Sequence, residues 1–322
     1  MPEAEHRAPY GGPSPADYAL TVQRAAAAAV ATLANGSSAP AEQEAGESTA
    51  RLWRPIVGAA FAVSGTGAPQ WRLPAHVDSD VGVLQIDGDD TIIRPELAET
   101  RRWEVDEDAA IRKTVTAGTT VLDIGAHIGY FSLLMSQLVQ PHGRVIAIEA
   151  DAWNHQMLVQ NVLRNGASNV TPVFAAAGER PGVAFLRRDK DGNTGDHRVL
   201  EESSDLGHPV PVIALDDILD DVHEIDFVKV DTQGGDHLAI LGMQRTLRRC
   251  RPRMLVEFWP PGIRERGGDP VEVLRIYASL GFTRDIVDDL DIDPKLPDEE
   301  FVRAAESTER EFVNLFLTPA PE

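Results

Sequence analysis

Val121-Leu-Asp-Ile-Gly-Ala-His-Ile-Gly-Tyr-Phe131 is the stretch that decides the fold. An apolar run ends at Asp123, glycines follow at Gly125 and Gly129, and a helix then opens with Ile128, Phe131, Leu134, Met135 and Leu138 at helical spacing. This is the first strand, tight loop and first helix of a nucleotide-binding α/β domain. Gly125 permits backbone angles that a Cβ forbids and lets a ligand lie against the main chain. Gly129 permits close packing at the helix start. Asp123, at the strand's carboxyl end, can accept from a ligand ammonium, and the helix N-terminus offers unpaired N–H groups to a carboxylate. The Asp-x-Gly-x-x-x-Gly spacing departs from the dinucleotide pattern Gly-x-Gly-x-x-Gly and points to S-adenosylmethionine rather than NAD.

A second signal follows at Arg144-Val-Ile-Ala-Ile-Glu149, a short buried strand ending in a carboxylate 26 residues after Asp123. In a doubly wound sheet the acid at the end of the second strand accepts from the ribose hydroxyls, and Glu149 suits that role.

These residues together resemble the FkbM family of S-adenosylmethionine-dependent methyltransferases, from about Trp103 to about Pro260. Asp123-Ile-Gly-Ala-His-Ile-Gly-Tyr-Phe-Ser132 is similar to the family's glycine motif. Glu149-Ala-Asp-Ala-Trp-Asn154 resembles its acid-Pro-x-Pro-x-Asn segment, with alanine in place of both prolines. Asn161 and Asn165-Gly-Ala-Ser-Asn-Val170 resemble its next helix and turn, and Ala175-Ala-Ala-Gly178 its adenine-side turn. Leu215-Asp-Asp-Ile-Leu219 and Ile225-Asp-Phe-Val-Lys-Val-Asp-Thr-Gln-Gly-Gly-Asp236 resemble its most specific block. There the family has Val-Glu-Gly-Ala-Glu after the aspartate, so an acid is replaced by Gln233. The resemblance implies a mixed seven-stranded sheet of the class I methyltransferase type, Rossmann-like, with helices on both faces. It also implies cofactor contacts from Asp123, Gly125, Ala126, His127, Gly129, Tyr130, Phe131, Glu149, Ala150, Asn154, Ala176, Ala177 and Asp231.

Composition narrows the classes. Hydrophobic residues at 43% and charged residues at 25% fit a soluble globular chain, and 322 residues can bury a sizeable core. No apolar stretch approaches the roughly 20 residues that span a membrane. Met1-Pro-Glu-Ala-Glu lacks the form of a signal peptide, and one cysteine, Cys250, fits a reducing cytosol. A cytoplasmic protein is expected. The net charge of −21 repels phosphate backbones, which argues against nucleic acid as a partner. Between Glu201 and Asp236 stand eleven acids and only Lys229 as a base. That uneven charge is explained by solubility, or by a mouth that attracts a cationic acceptor.

Along the chain, residues 1–50 read as a partly disordered segment with one helix near 19–34. Residues 51–118 read as an α+β extension or lid, packed through Trp53, Phe61 and Trp71. A hairpin is predicted there, Val81 to Ile86 and Thr91 to Ile93 around Asp87-Gly-Asp-Asp, then a helix from Asp106 to Val115. Residues 119–322 form the catalytic domain. Its predicted strands are 120–124, 144–149, 170–175, 225–231 and 253–258, and its helices 128–139, 152–165, 213–220 and 235–248. An insertion at about 180–212 carries two short strands and the turn Asp191-Gly-Asn-Thr-Gly195. A helix near 270–280, a strand from Thr283 to Val287, an acidic loop and a strand from Phe312 to Leu317 close the domain. The N-terminal helix is a candidate lid or homo-oligomer surface.

Ligands of open α/β sheets lie beyond the carboxyl ends of the strands, where Asp123, Glu149, Asp231 and Glu257 all fall. A hydroxyl acceptor needs its proton removed, so a base is sought. Asp231 is first choice, as base, acceptor-positioning group or metal ligand. His237 and Asp236, at the following helix start, are further catalytic candidates. Asn193, Gln233, Trp103, Glu257 and Trp259 are candidates for the acceptor pocket. Arg101, Arg102 and Trp103 are candidates for a lid. Magnesium is possible through Asp231, Asp236 and Glu257, but no spacing is diagnostic and no metal ligand is assigned. The expected activity is methylation of a hydroxyl on a small natural product, a sugar or polyketide. The O rather than N preference rests on the resemblance. N-methylation of a small molecule and a non-catalytic scaffold are the alternatives.

Overall fold

The structure, a computed structural model, describes residues 74–187, 198–200 and 207–321. The expected helix near 19–34, the packing of Trp53, Phe61 and Trp71, and the turn carrying Asn193 lie outside these residues.

The apolar runs of the sequence become the inner strands of one sheet. In β3 (Thr120–Ile124) and β4 (Arg144–Glu149), Val121 and Val145 face one side, and Leu122, Ile124, Ile146 and Ile148 the other. Both sides are covered, which is why these strands are continuously hydrophobic rather than alternating. Parallel partners follow on each flank: β5 (Val170–Phe174) beyond β4, and β10 (Phe227–Val230) and β11 (Arg253–Phe258) on the other side of β3. At the far edge β12 (Phe282–Ile286) and β13 (Val313–Pro319) form an antiparallel pair, with β13 antiparallel to β11. Among the described residues the sheet has seven strands in the order β12-β13-β11-β10-β3-β4-β5. The chain moves outward from β3 in opposite directions, so the strand order reverses between β3 and β10, the place where such sheets bind ligands.

Before the sheet come a hairpin, β1 (Pro74–Ser79) and β2 (Gly82–Asp87), and helices α1 (Ile93–Thr100) and α2 (Val105–Thr114). The predicted hairpin is therefore displaced: its turn is Asp80-Val81, and Thr91 to Ile93 leads into a helix. The reason is Asp90, whose carboxylate accepts from the amides of Ile92 (3.2 Å) and Arg94 (2.8 Å) and turns the chain helically.

Within the main sheet, α3 (Tyr130–Val139) follows β3 and α4 (Ala152–Arg164) follows β4. Asp151 caps α4, accepting from Trp153 and Asn154. The insertion is a small sheet of β6 (Ala176–Ala177), β7 (Gly182–Arg187), β8 (Arg198–Leu200) and β9 (Gly207–Ile213). The predicted helix 213–220 shortens to α5 (Leu215–Ile218). The predicted helix 235–248 divides into α6 (Asp236–Leu241) and α7 (Gln244–Cys250). The division falls at Gly242, where a Cβ would lie 2.0 Å from the Gly178 carbonyl oxygen. The remaining helices are α8 (Pro260–Glu265), α9 (Pro270–Ser279) and α10 (Asp298–Glu306), the last within the segment read as an acidic loop.

Side-chain amides fasten the hairpin to the domain. Asn161, fully buried on α4, accepts from the Gln85 amide (2.6 Å) and donates to the carbonyls of Gln85 (3.0 Å) and Ile128 (2.8 Å). One turn later Asn165 repeats the pairing with Val83, accepting at 3.1 Å and donating at 3.0 Å. The two amides stand at i and i+4 and so serve successive outward-facing positions of β2. Asn161→Ala leaves the Gln85 pair and the Ile128 carbonyl unsatisfied and is expected to destabilise the protein by about 3 kcal/mol. Asn165→Ala, at a more exposed site, should cost less. Urea unfolding with hydrogen exchange over residues 74–87 checks both; equal effects would be contrary to this account.

Candidate active site

The loop after β3 and the end of β10 come into near contact. Gly125 has φ +85°, and a Cβ there would lie 1.7 Å from the Asp231 carbonyl oxygen. Gly129 has φ +92°, and its Cβ would meet Leu158 of α4 at 2.5 Å. Both glycines are thus required by backbone conformation and by close approach. Beyond the strand ends opens a cleft of about 1600 Å³, larger than the few hundred to about 1,000 Å³ of a single-ligand site.

On the β4 side, Gly125, Ala126, His127, Tyr130, Phe131, Glu149, Ala150, Asn154, Ala176 and Ala177 all line this cleft. The Glu149 carboxylate is fixed from two directions, accepting from the amides of His127 (2.8 Å) and Asp151 (2.7 Å). Burial, reinforced by Asp151, pushes its carboxyl up to about 8. Asp123 lies beneath the cleft rather than on its wall, 1% exposed. One of its oxygens accepts from the Ser132 hydroxyl, and the other has no partner among the described residues. Burial raises its carboxyl as well.

On the β10 side the residue of note is Lys229, in the middle of the otherwise apolar strand Phe227-Val-Lys-Val230 and 2% exposed. Its register partner across β3 is Asp123. Its ammonium donates to Asp231 (2.9 Å), stands 3.5 Å from Glu107 and lies 4.6 Å above the centre of the Phe131 ring. Burial alone would lower the lysine, but Asp231, Glu107, Glu104 and Asp123 hold it well above its ordinary range. Asp231 also accepts from the Gln233 side chain at 3.1 Å. Burial raises Glu107 to about 7, and takes Glu104 and Glu257 well above the usual carboxylate range. One Glu257 oxygen is buried without a partner among the described residues. Trp103, Gln233, Glu257, Asp288 and Asn314 complete this part of the wall.

Three sequence candidates stand apart from the wall. The Asp236 carboxylate turns back to accept from the Thr232 amide at 3.1 Å, because it opens α6 from behind the loop. Burial raises its carboxyl to about 7. His237 is 5% exposed and packs under Gly268, whose Cβ would fall 2.9 Å from the ring Nε2. Burial and Arg266 lower its imidazole. Trp259 spreads its ring over Gly262, where a Cβ would sit 2.1 Å away, instead of forming the acceptor wall. Asn193 is outside the described residues. Among the described residues no three His, Cys, Asp or Glu side chains converge as a metal site. Arg102, proposed for a lid, pairs with the fully buried Asp108 instead.

Sequence reading missed Glu104, Glu107 and Asp288. A charge inside an apolar strand was the available signal for Lys229; the helix bearing Glu107 offered none.

Residues 123–284 match the model of the methyltransferase FkbM domain. The chain belongs to the FkbM family of S-adenosylmethionine-dependent methyltransferases. The sheet is that of the class I methyltransferases. No curated protein matches the chain significantly. Among solved structures, methyltransferase FkbM from Methylobacillus flagellatus KT is 19% identical over 65% of this chain and 50% of its own, with a TM-score of 0.38. This chain thus spans half the length of that protein. Precorrin-6y C5,15-methyltransferase from Geobacter metallireducens GS-15 is 15% identical over 76% of this chain and 100% of its own, at 0.42. A SAM-dependent O-methyltransferase from Thermotoga maritima is 14% identical over 77% and 78%, at 0.40. Scores at this level add nothing to what the strand order already shows.

The raised carboxyls make the methyltransferase's stability depend on pH. Glu107 and Asp236 at about 7 and Glu149 at about 8 hold protons in the folded state that the unfolded chain releases near 4.5 or below. Between these limits the unfolded state binds fewer protons, so their contribution falls as pH rises. The lowered histidines, His155 at about 4 and His237, act oppositely only below 6.5. The melting temperature of the ligand-free protein should therefore fall from pH 6.5 to 8, and less so in Glu149→Gln. A melting temperature that rises across this window contradicts the assignment.

Proposed function

We propose that this FkbM methyltransferase transfers the methyl group of S-adenosylmethionine to a hydroxyl of a small natural product of sugar or polyketide type. The supporting observation is the division of one cleft between two chemically different walls. The β4 wall fits an adenosyl group. Gly125 brings the main chain to the cleft wall, while Gly129, packed against Leu158, stands off it; Glu149 is held rigidly with lone pairs free for ribose hydroxyls, and Ala176 and Ala177 present a small apolar surface to a base.

When bound, the cofactor supplies a methyl carbon on a positively charged sulfur. The chain's own task is to hold and deprotonate the acceptor opposite it. Asp231 is the proposed acceptor-orienting group, since Lys229 and Gln233 fix its carboxylate. Gln233, Trp103 and Glu257 are proposed to surround the acceptor. Residues 74–114 supply Ile92, Trp103 and Glu107 to the same cleft, in keeping with the proposed lid role of the segment before residue 119. No helix among the described residues is long and apolar enough to cross a membrane. A cytoplasmic enzyme acting on a small molecule, not on nucleic acid, is the setting proposed from the single cysteine and the charge of −21.

Calorimetry and incorporation of label from methyl-labelled cofactor into a panel of sugars, amino sugars and phenolic polyketides test this reading. Glu149→Ala should weaken cofactor binding at least about 30-fold, ~2 kcal/mol. Asp231→Asn should bind the cofactor within about threefold and lose about 100-fold in transfer. Absence of cofactor binding at millimolar concentration would end the proposal.

A further inference from the structure

We propose that Glu107 is the general base of the reaction and that Lys229 is the residue that positions it. This rests on the O-methylation reading above, which requires a base without identifying one. Geometry removes the base candidates named from the sequence. His237 and Asp236 stand behind the cleft wall, and both Asp231 oxygens are held by donors. Glu107 lines the cleft, is 6% exposed and meets Lys229 at 3.5 Å, a looser contact than the 2.9 Å bond between Lys229 and Asp231.

Its place is set by the residue beside it. Asp108, fully buried, accepts from the Tyr130 hydroxyl at 3.1 Å and from Arg112 at 2.8 Å, and pairs with Arg102. Arg112 and Tyr130 also reach Asp80 of the hairpin turn. These bonds lock α2 against the start of α3, and the Glu107 carboxylate meets the Lys229 ammonium, which itself lies over the Phe131 ring. The groups that face it are Lys229 and Asp231 at β10, Glu104 ahead of α2, Glu257 on β11 and Asp288 after β12.

The step balances as follows. The acceptor oxygen forms a bond to the methyl carbon, the carbon–sulfur bond breaks with its electron pair left on sulfur, and the hydroxyl proton passes to the Glu107 carboxylate. That proton then leaves to solvent. A carboxyl raised by burial to about 7 is a stronger base than an exposed one and remains largely ionised at slightly alkaline pH.

Two measurements test the assignment. Infrared difference titration of the protein loaded with S-adenosylhomocysteine needs no acceptor. It should show a protonated-carboxyl band titrating near pH 7 that diminishes in Glu107→Gln. Single-turnover transfer to the hydroxyl acceptor from the panel should rise with pH through about 7 in the native enzyme. In Glu107→Gln it should be at least about 100-fold slower and flat with pH, while S-adenosylhomocysteine affinity stays within about threefold. Glu107→Asp, which keeps a carboxylate, should restore the pH dependence at reduced rate. An infrared titration unchanged by Glu107→Gln, or a variant that keeps the native pH profile, overturns the proposal. Absence of cofactor binding by the native protein would instead remove the parent reading, and the same infrared titration of the ligand-free protein and its Glu107→Gln variant would still report on Glu107.

Discussion

The contact between the Gly125 backbone and the end of β10 governs the arrangement of everything around it. With 1.7 Å separating a would-be Cβ from the Asp231 oxygen, the loop and the strand can meet only through glycine. That approach closes the floor at the reversal of strand order and makes one continuous cleft of two half-sheets. It sets Asp231 against the glycine loop, and Asp123 against Lys229 in register. Charge and nucleotide geometry are brought together there by backbone packing alone.

Lys229 is the second constraint. A lysine in the middle of a buried parallel strand carries a large desolvation penalty, offset here by Asp231, Glu107 and the Phe131 face. Those partners come from three separate elements: the strand's own end, the helix before the core and the first core helix. Removing the ammonium would leave several carboxylates crowded in a dry wall, and removing the carboxylates would strand the cation. The cluster is therefore mutually dependent: burial raises its acids, and those acids keep the lysine charged against the same burial.

The central fold was legible because its signals are local. Apolar runs at 120–124, 144–149 and 253–258 became strands at those positions, and the glycines at 125 and 129 marked the turn. Long-range contacts were less legible. Nothing local at Gly242 announces that Gly178 lies against it, so one helix was read where there are two. The hairpin was misplaced because Asp90 reads equally as a strand turn or as a helix start. On the site, the β4 wall follows from a short motif, whereas Glu107 reaches the cleft only through the Asp108 network, which joins residues far apart in sequence.

The asparagine pair on α4 has a wider consequence. A two-stranded ribbon has an outer row of backbone donors and acceptors that invites strand addition from another chain. Asn161 and Asn165 consume that row at Gln85 and Val83 with side-chain amides, so a helix stands in for the missing strand. The hairpin gains the satisfaction of a ladder without templating one, which leaves that edge closed to intermolecular pairing at high concentration.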